Sequence, residues 1–324
     1  MIPRMTLVRI GLALLLGAAA PLRAQDGAGA SSAILLQLAP APRPLALGGA
    51  YAALAHDPYA LFYNPGRLAG TPPAFGAAYH AYPVGVAAGS AAATLPFGRF
   101  ALALGVHYLD LGEVEVIEPD PAYGGQRGRP TGEVADGGEV LAAVGGAFAL
   151  GSSLRVGAAA KALRLGLAGA TDQGFAADIG ASVALLGGRL QLAAAVQNLG
   201  PEVGPGRRAP LPRTARAGAA IDVASAAGVR TAIAVDAVHV EERLAFAAGI
   251  EAGYRNGAGL GLLARAGFDG RARTGDAASP VTLGAGIAFG RFGLDYAYRA
   301  VGPLGATHHF GFSIRLDGEA SPVR

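Results

Sequence analysis

Segment after segment of this chain alternates in character at every second residue, and that pattern leaves few folds open. Phe292, Leu294, Tyr296 and Tyr298 fall on one face of an extended segment, with Gly293, Asp295, Ala297 and Arg299 on the other. Near the C-terminus, Phe310, Phe312, Ile314 and Leu316 oppose His309, Gly311, Ser313 and Arg315. Leu244, Phe246, Ala248, Ile250, Ala252 and Tyr254 oppose Gly249, Glu251 and Gly253 in the same way. A period of two with one apolar face and one small or charged face is a half-polar strand. Segments of about ten residues patterned apolar-out and polar-in are what a membrane barrel requires. A soluble sandwich shows the same alternation with its faces reversed, so the pattern alone does not separate the two.

The connections do. Fourteen candidate strands fall near residues 74–82, 84–95, 99–110, 139–150, 153–165, 174–186, 189–198, 213–222, 229–238, 244–255, 258–268, 280–289, 291–299 and 306–316. Connections after even-numbered strands are tight: 96–98, 151–152, 187–188, 256–257 and residue 290, with 223–228 the longest. After most odd-numbered strands they are longer, at 111–138, 166–173, 199–212 and 269–279; the first, at Pro83, is the exception. Short turns on one rim and long loops on the other are the outer-membrane pattern, and Gly and Asn-Gly suit tight hairpins. The expected fold is all-β: a transmembrane antiparallel up-and-down β-barrel of about fourteen strands over residues 74–316. An even count puts both barrel ends on the short-turn, periplasmic rim.

Composition agrees. Only 15% of the 324 residues are charged, against about 25% in an average soluble domain. There is no Cys, which excludes a disulfide framework, a Cys-ligated zinc, a thiol nucleophile and a lipid anchor on cysteine. With 26 basic and 23 acidic residues and no arginine-rich run, nothing points to nucleic acid. Arg4 and Arg9 precede an uncharged apolar run over residues 10–20, and Leu22-Arg23-Ala24 precedes Gln25. That is the pattern of a Sec-type signal peptide, expected over residues 1–24, with an apolar run too short to span a bilayer as a helix. The long uncharged stretch 75–98 is broken by Pro83, Gly85, Gly89 and Pro96 and reads as two strands rather than one helix.

Residues 25–73 differ. The part at 45–70 is apolar but not in strand order, and Asp57-Pro58 and Asn64-Pro65 read as turns or caps. A fourteen-stranded barrel is wider than side chains alone can fill. This segment is therefore expected to lie inside as a luminal plug, with Gly48, Gly49, Asp57, Asn64 and Pro65 as its motif. A short tail, residues 317–324, follows the last strand.

The run Gly48-Gly49-Ala50, Asp57, Asn64-Pro65 and Leu68-Ala69 resembles the N-terminal signature of the PorV/PorQ proteins, relatives of the FadL outer-membrane transporters. Residues 190–200, ending Asn198-Leu199-Gly200, resemble that family's middle segment. Pro210-Leu211-Pro212-Arg213-Thr214-Ala215-Arg216 resembles the strand start after it, and residues 294–298 with 304–309 resemble the final hairpin. The resemblance covers residues 33–316, with Gly66 standing where the family often has Ala. It implies a FadL-like barrel with an N-terminal segment in the lumen. It also implies two roles: a type IX-like secretion component of the outer membrane, taken here as the expectation, or a transporter of hydrophobic small molecules. The corresponding partners are outer-membrane lipid, together with secretion subunits and cargo or with the small molecules.

No enzyme chemistry emerges. No serine sits in a Gly-x-Ser-x-Gly setting, and Gly284-Ala285-Gly286 has no following helix or acidic partner. His56, His80, His107, His239, His308 and His309 read as interface or rim histidines; adjacent His308 and His309 point to opposite faces of a strand and cannot share a metal. Glu113, Glu115, Glu118, Asp120, Glu133 and Asp136 cluster in the expected loop 111–138. Without EF-hand spacing they read as a solvated loop rather than a calcium site. No catalytic residue, metal or cofactor is assigned. The expected lumen-facing charges are Asp178, Arg216, Asp236, Glu251, Arg265, Asp295, Arg299 and Arg315. Both signs occur, so they are expected to pair across the interior and hold the plug.

Overall fold

The computed structural model describes residues 31–226, 228–257, 259–272 and 278–317. The leader expected over residues 1–24 and the tail beyond residue 317 lie outside them. Fourteen strands form one closed antiparallel barrel in which each strand pairs with its sequence neighbours and the first pairs with the last. They are β1 (Ala74–Ala81), β2 (Ala87–Phe97), β3 (Phe100–Pro119), β4 (Gly128–Leu150), β5 (Leu154–Leu167), β6 (Ala170–Leu185) and β7 (Leu190–Leu199). The second half comprises β8 (Thr214–Ala226), β9 (Val229–Val240), β10 (Arg243–Arg255), β11 (Leu260–Asp269), β12 (Val281–Phe289), β13 (Phe292–Ala300) and β14 (Ala306–Arg315). The seam is in full register: Ala78 of β1 faces Gly311 of β14 on one side and Ser90 of β2 on the other. Closure removes the unpaired edges that an open sheet would carry.

The outer face is apolar. Leu104, Phe246 and Phe289 are 61%, 64% and 65% exposed. So many exposed large apolar side chains are tolerable only against another apolar phase. His308 and His309 fall on opposite sides, as the alternation requires. His309 is buried inside, whereas outward His308 shares a hydrogen bond with the Tyr296 hydroxyl (2.8 Å).

Two expected loops are not loops. Residues 111–138 continue β3 and β4 past the barrel rim as a two-stranded ribbon, with register shifts between Asp110 and Glu113 and between Glu115 and Ile117. The carboxylates suggested a loop, but β-branched Val114, Val116 and Ile117 are interspersed among them. A ribbon wet on both faces needs no apolar side. Residues 166–173 likewise shrink to the two-residue turn Ala168-Gly169, whose φ angles of 48° and 78° suit a primed hairpin turn. Glu241-Glu242 makes a comparable turn between β9 and β10, with φ of 47° and 62°. Loop length is therefore sorted less strictly between the rims than expected.

Residues 31–73 lie within the wall. They contain one short helix, α1 (Pro42–Ala46), and 3₁₀ turns at Ile34–Gln37, Pro58–Phe62 and Pro65–Leu68. Helix α1 packs on β11 to β14, while the Pro65–Leu68 turn packs on β4, β5 and β6 across the barrel. One segment can touch opposite walls only by crossing the interior. Leu47, Leu61 and Leu68 are fully buried there, each contributing roughly 1.5–3 kcal/mol by removal from water. The inner wall around them is small: Ala143, Ala147, Ala159, Ala193, Ala220, Ala232, Ala234 and Ala247 share one core cluster with the plug. Alanine and glycine on the inner face leave the plug backbone room to lie close.

Candidate functional site

The segment begins near the long-loop rim and leaves at the short-turn rim. At its start the Ser32 amide donates to the Pro210 carbonyl (3.0 Å), and at its end Thr94 Oγ1 donates to the Pro72 carbonyl (2.8 Å). Between these points the wall grips it at three places.

The first grip is ionic. Arg43, placed by α1, makes a two-pronged contact with Glu251 on β10, with Nε and Nη2 each 2.9 Å from a carboxylate oxygen. Glu251 also receives Arg265 Nε of β11 at 2.6 Å, and Arg265 reaches Asp295 of β13. Arg43 Nη1 lies 3.2 Å from both Asp57 and the Tyr51 hydroxyl, and that hydroxyl donates to Asp57. Burial, opposed by the adjacent Arg43 guanidinium, pushes the Tyr51 phenol well above its ordinary value, which keeps it a donor.

The second grip is a carboxylate acting as a cap. Asp236 of β9 accepts the Tyr51 and Ala52 amides at 3.0 and 2.9 Å. The backbone just before it is carried past the wall by Gly48 and Gly49, with φ of 64° and 86°. Opposite them a Cβ on Gly249 would lie 2.7 Å from the Leu47 carbonyl oxygen.

The third grip is the Asn64-Pro65-Gly66 turn. Asn64 Oδ1 accepts the Gly66 amide (3.0 Å), and its Nδ2 donates to the carbonyls of Ala52 (3.2 Å) and Ala181 (3.1 Å). The turn sits in a notch left by Gly157 and Gly180. A Cβ on Gly66 would itself fall 2.7 Å from the Gly180 carbonyl oxygen, which accounts for glycine at this position. Replacing Gly180 by Val is expected to unseat this turn while the barrel still forms. The check is single-channel conductance in planar bilayers, which should rise over the parent; an unchanged trace would contradict this docking.

The remaining expected charges serve other places. Asp178 pairs with Lys161 of β5 at 2.6 Å and accepts the Asn198 amide at a bulge in β7, within the wall itself. Arg216 holds Gln197 (2.8 Å) and stacks 5.1 Å over the plug's Tyr63 ring. Arg299 pairs with Asp269 near the long-loop rim (3.2 Å), and Arg315 with Asp317 at the other. Sequence reasoning missed Arg43, Tyr51, Glu139 and Lys161. Lys161 carried a signal: it is the only lysine in the chain and sits in an alanine-rich strand.

Between plug and wall lies a cavity of about 120 Å³. Pro42, Pro58, Pro72, Leu263 and Ala288 supply apolar surface, with Arg265, Asp57 and Asp295 at its polar side. It reaches the short-turn rim at Arg315. Its size is close to that of the ~150 Å³ engineered apolar cavity that binds benzene. Among the described residues, no group of three His, Asp or Glu side chains is arranged to hold a metal ion.

The fold is similar to that of solved FadL-like outer-membrane barrels. The toluene transporter TbuX of Ralstonia pickettii is 14% identical, with 85% of this chain and 98% of that one covered and a TM-score of 0.57. The monoaromatic hydrocarbon channel CymD is 12% identical, with 85% and 96% covered and a TM-score of 0.59. A FadL homologue of Pseudomonas aeruginosa is 12% identical, with 84% and 97% covered and a TM-score of 0.55. No family model matches the sequence, and no curated protein matches it.

Proposed function

We propose that this protein is an outer-membrane channel for small hydrophobic molecules, with the N-terminal segment as a plug that sets the passage. The observation that carries the reading is the cavity between plug and wall, sized for one aromatic ring, in a barrel whose outer face suits lipid. The fold's likeness to a toluene transporter and a monoaromatic hydrocarbon channel supports the same reading. The type IX-like secretion component implied by the PorV/PorQ resemblance has no counterpart among these structures. The charged pairs at the plug serve to hold it rather than to act on a substrate.

Uptake of labelled toluene at low concentration, by cells with an intact outer membrane, tests this. Cells making the protein should take it up faster than cells without it. Ala288→Phe, on the inner face of β12 at the cavity, should lower the rate while leaving a folded barrel on gels. Uptake that is the same with and without the protein would remove the reading, as would purification of the protein in stoichiometric complex with a secreted cargo.

A further inference from the structure

Residues 31–41, the first part of the segment, are held separately from the plug body. The Ile34 and Leu35 amides donate to Glu139 of β4 at 3.1 and 2.8 Å, burying its carboxylate against Leu35. The Pro40 carbonyl accepts from Ser90 of β2 and from His80 Nε2 of β1 at 3.2 Å. His80 in turn meets His309 of β14, Nδ1 to Nδ1, at 2.6 Å, and the His107 ring of β3 stands 6.2 Å away.

These contacts specify protons. His80 must donate from Nε2 to a carbonyl, so in its neutral form Nδ1 is an acceptor. His309 then donates from its own Nδ1, and its Nε2 is left buried without a partner, as is Nε2 of His107. A proton added to His80 would set two N–H groups face to face unless His309 switched tautomer and buried an unpaired donor instead. Among the described residues, nothing nearby would compensate. Facing the rings are Tyr82 after β1, Ser90 on β2, Arg299 on β13 and the plug's Phe62. Across a small cavity bounded by Pro40 and His107 stand Lys161, Arg216 and Arg271. Lys161 and Arg271 already hold Asp178 and Asp269. Among the described residues the surroundings are cationic or neutral, so an imidazolium finds no free carboxylate there.

We propose that residues 31–41 form an acid-released latch, closed over the long-loop half of the lumen at neutral pH, with His80, His107 and His309 as its sensor. The seated contacts leave an added proton without a partner, whereas rings opened to water can hydrate it in the ordinary histidine range of ~6.5. Proton linkage therefore favours release as the pH falls through that range.

The absence of cysteine from the chain gives a clean readout. In folded protein the Leu35→Cys thiol, seated at a side chain only 1% exposed, should react with a maleimide slowly at neutral pH. An Ala122→Cys variant at the exposed ribbon tip corrects for the intrinsic pH dependence of the reagent. The corrected rate should rise about tenfold between pH 7.5 and 5.5 and stay flat when His80, His107 and His309 are all Gln. If that triple variant does not fold, His309→Gln alone should at least halve the rise. A flat parent profile, an undiminished rise in the histidine variants, or a rise abolished only by Glu139→Gln would overturn the proposal.

Discussion

Replacing Glu251 by Ala is expected to destabilise the folded barrel by about 3–5 kcal/mol, because it leaves Arg43 and Arg265 buried without their shared carboxylate. Both guanidiniums contact Glu251 within 2.9 Å, and their side chains are only 11% and 3% exposed. The measurement is the urea midpoint for loss of the heat-modifiable band. A second variant separates the burial of charge from the pairing itself. Arg43→Met, Glu251→Gln and Arg265→Met combined with Asp57→Asn and Asp295→Asn removes every charge of the cluster at similar volume and should recover much of the loss. A single Glu251→Ala change that shifts the midpoint by less than about 1 kcal/mol would mean that the cluster is solvated and does not hold the plug.

Leu104→Arg should cost about 2–4 kcal/mol in a bilayer, the expected penalty for a cation on the lipid face near mid-membrane. The same substitution at Glu115, exposed on the ribbon above the rim, should leave stability unchanged within about 0.5 kcal/mol. Stability in lipid vesicles against urea decides between them. Equal, small effects at both positions would show that the outer face of β3 meets water, and the barrel would then not be a membrane barrel.

What could be read from the sequence follows from how local each cause is. Period-two alternation depends on single residues and their immediate neighbours, so fourteen strands were legible, as was the side to which His308 and His309 each point. Asn64-Pro65 and Asp57-Pro58 were legible as turns for the same reason. The ribbon above β3 and β4 was not, because strands that are wet on both faces lose the apolar stripe that marks a strand. Ala168-Gly169 was hidden because small residues flank it and resemble a loop. The partners of the plug were hidden for a different reason: Arg43 meets Glu251 across 208 residues of chain. Only the closed barrel brings them together, and no spacing rule connects them.

The order in which this molecule can assemble follows from its seam. Residues 31–73 leave the ribosome before any strand, yet Ala46 is bonded by Thr282 across 236 residues, and α1 rests on strands as late as β14. Contacts of such long range form slowly and only after the intervening chain is ordered. The plug therefore cannot act as a folding nucleus. It has to be held within a curling, still open sheet and is locked when β14 zips against β1, so that enclosure of the plug and completion of the wall are a single late event.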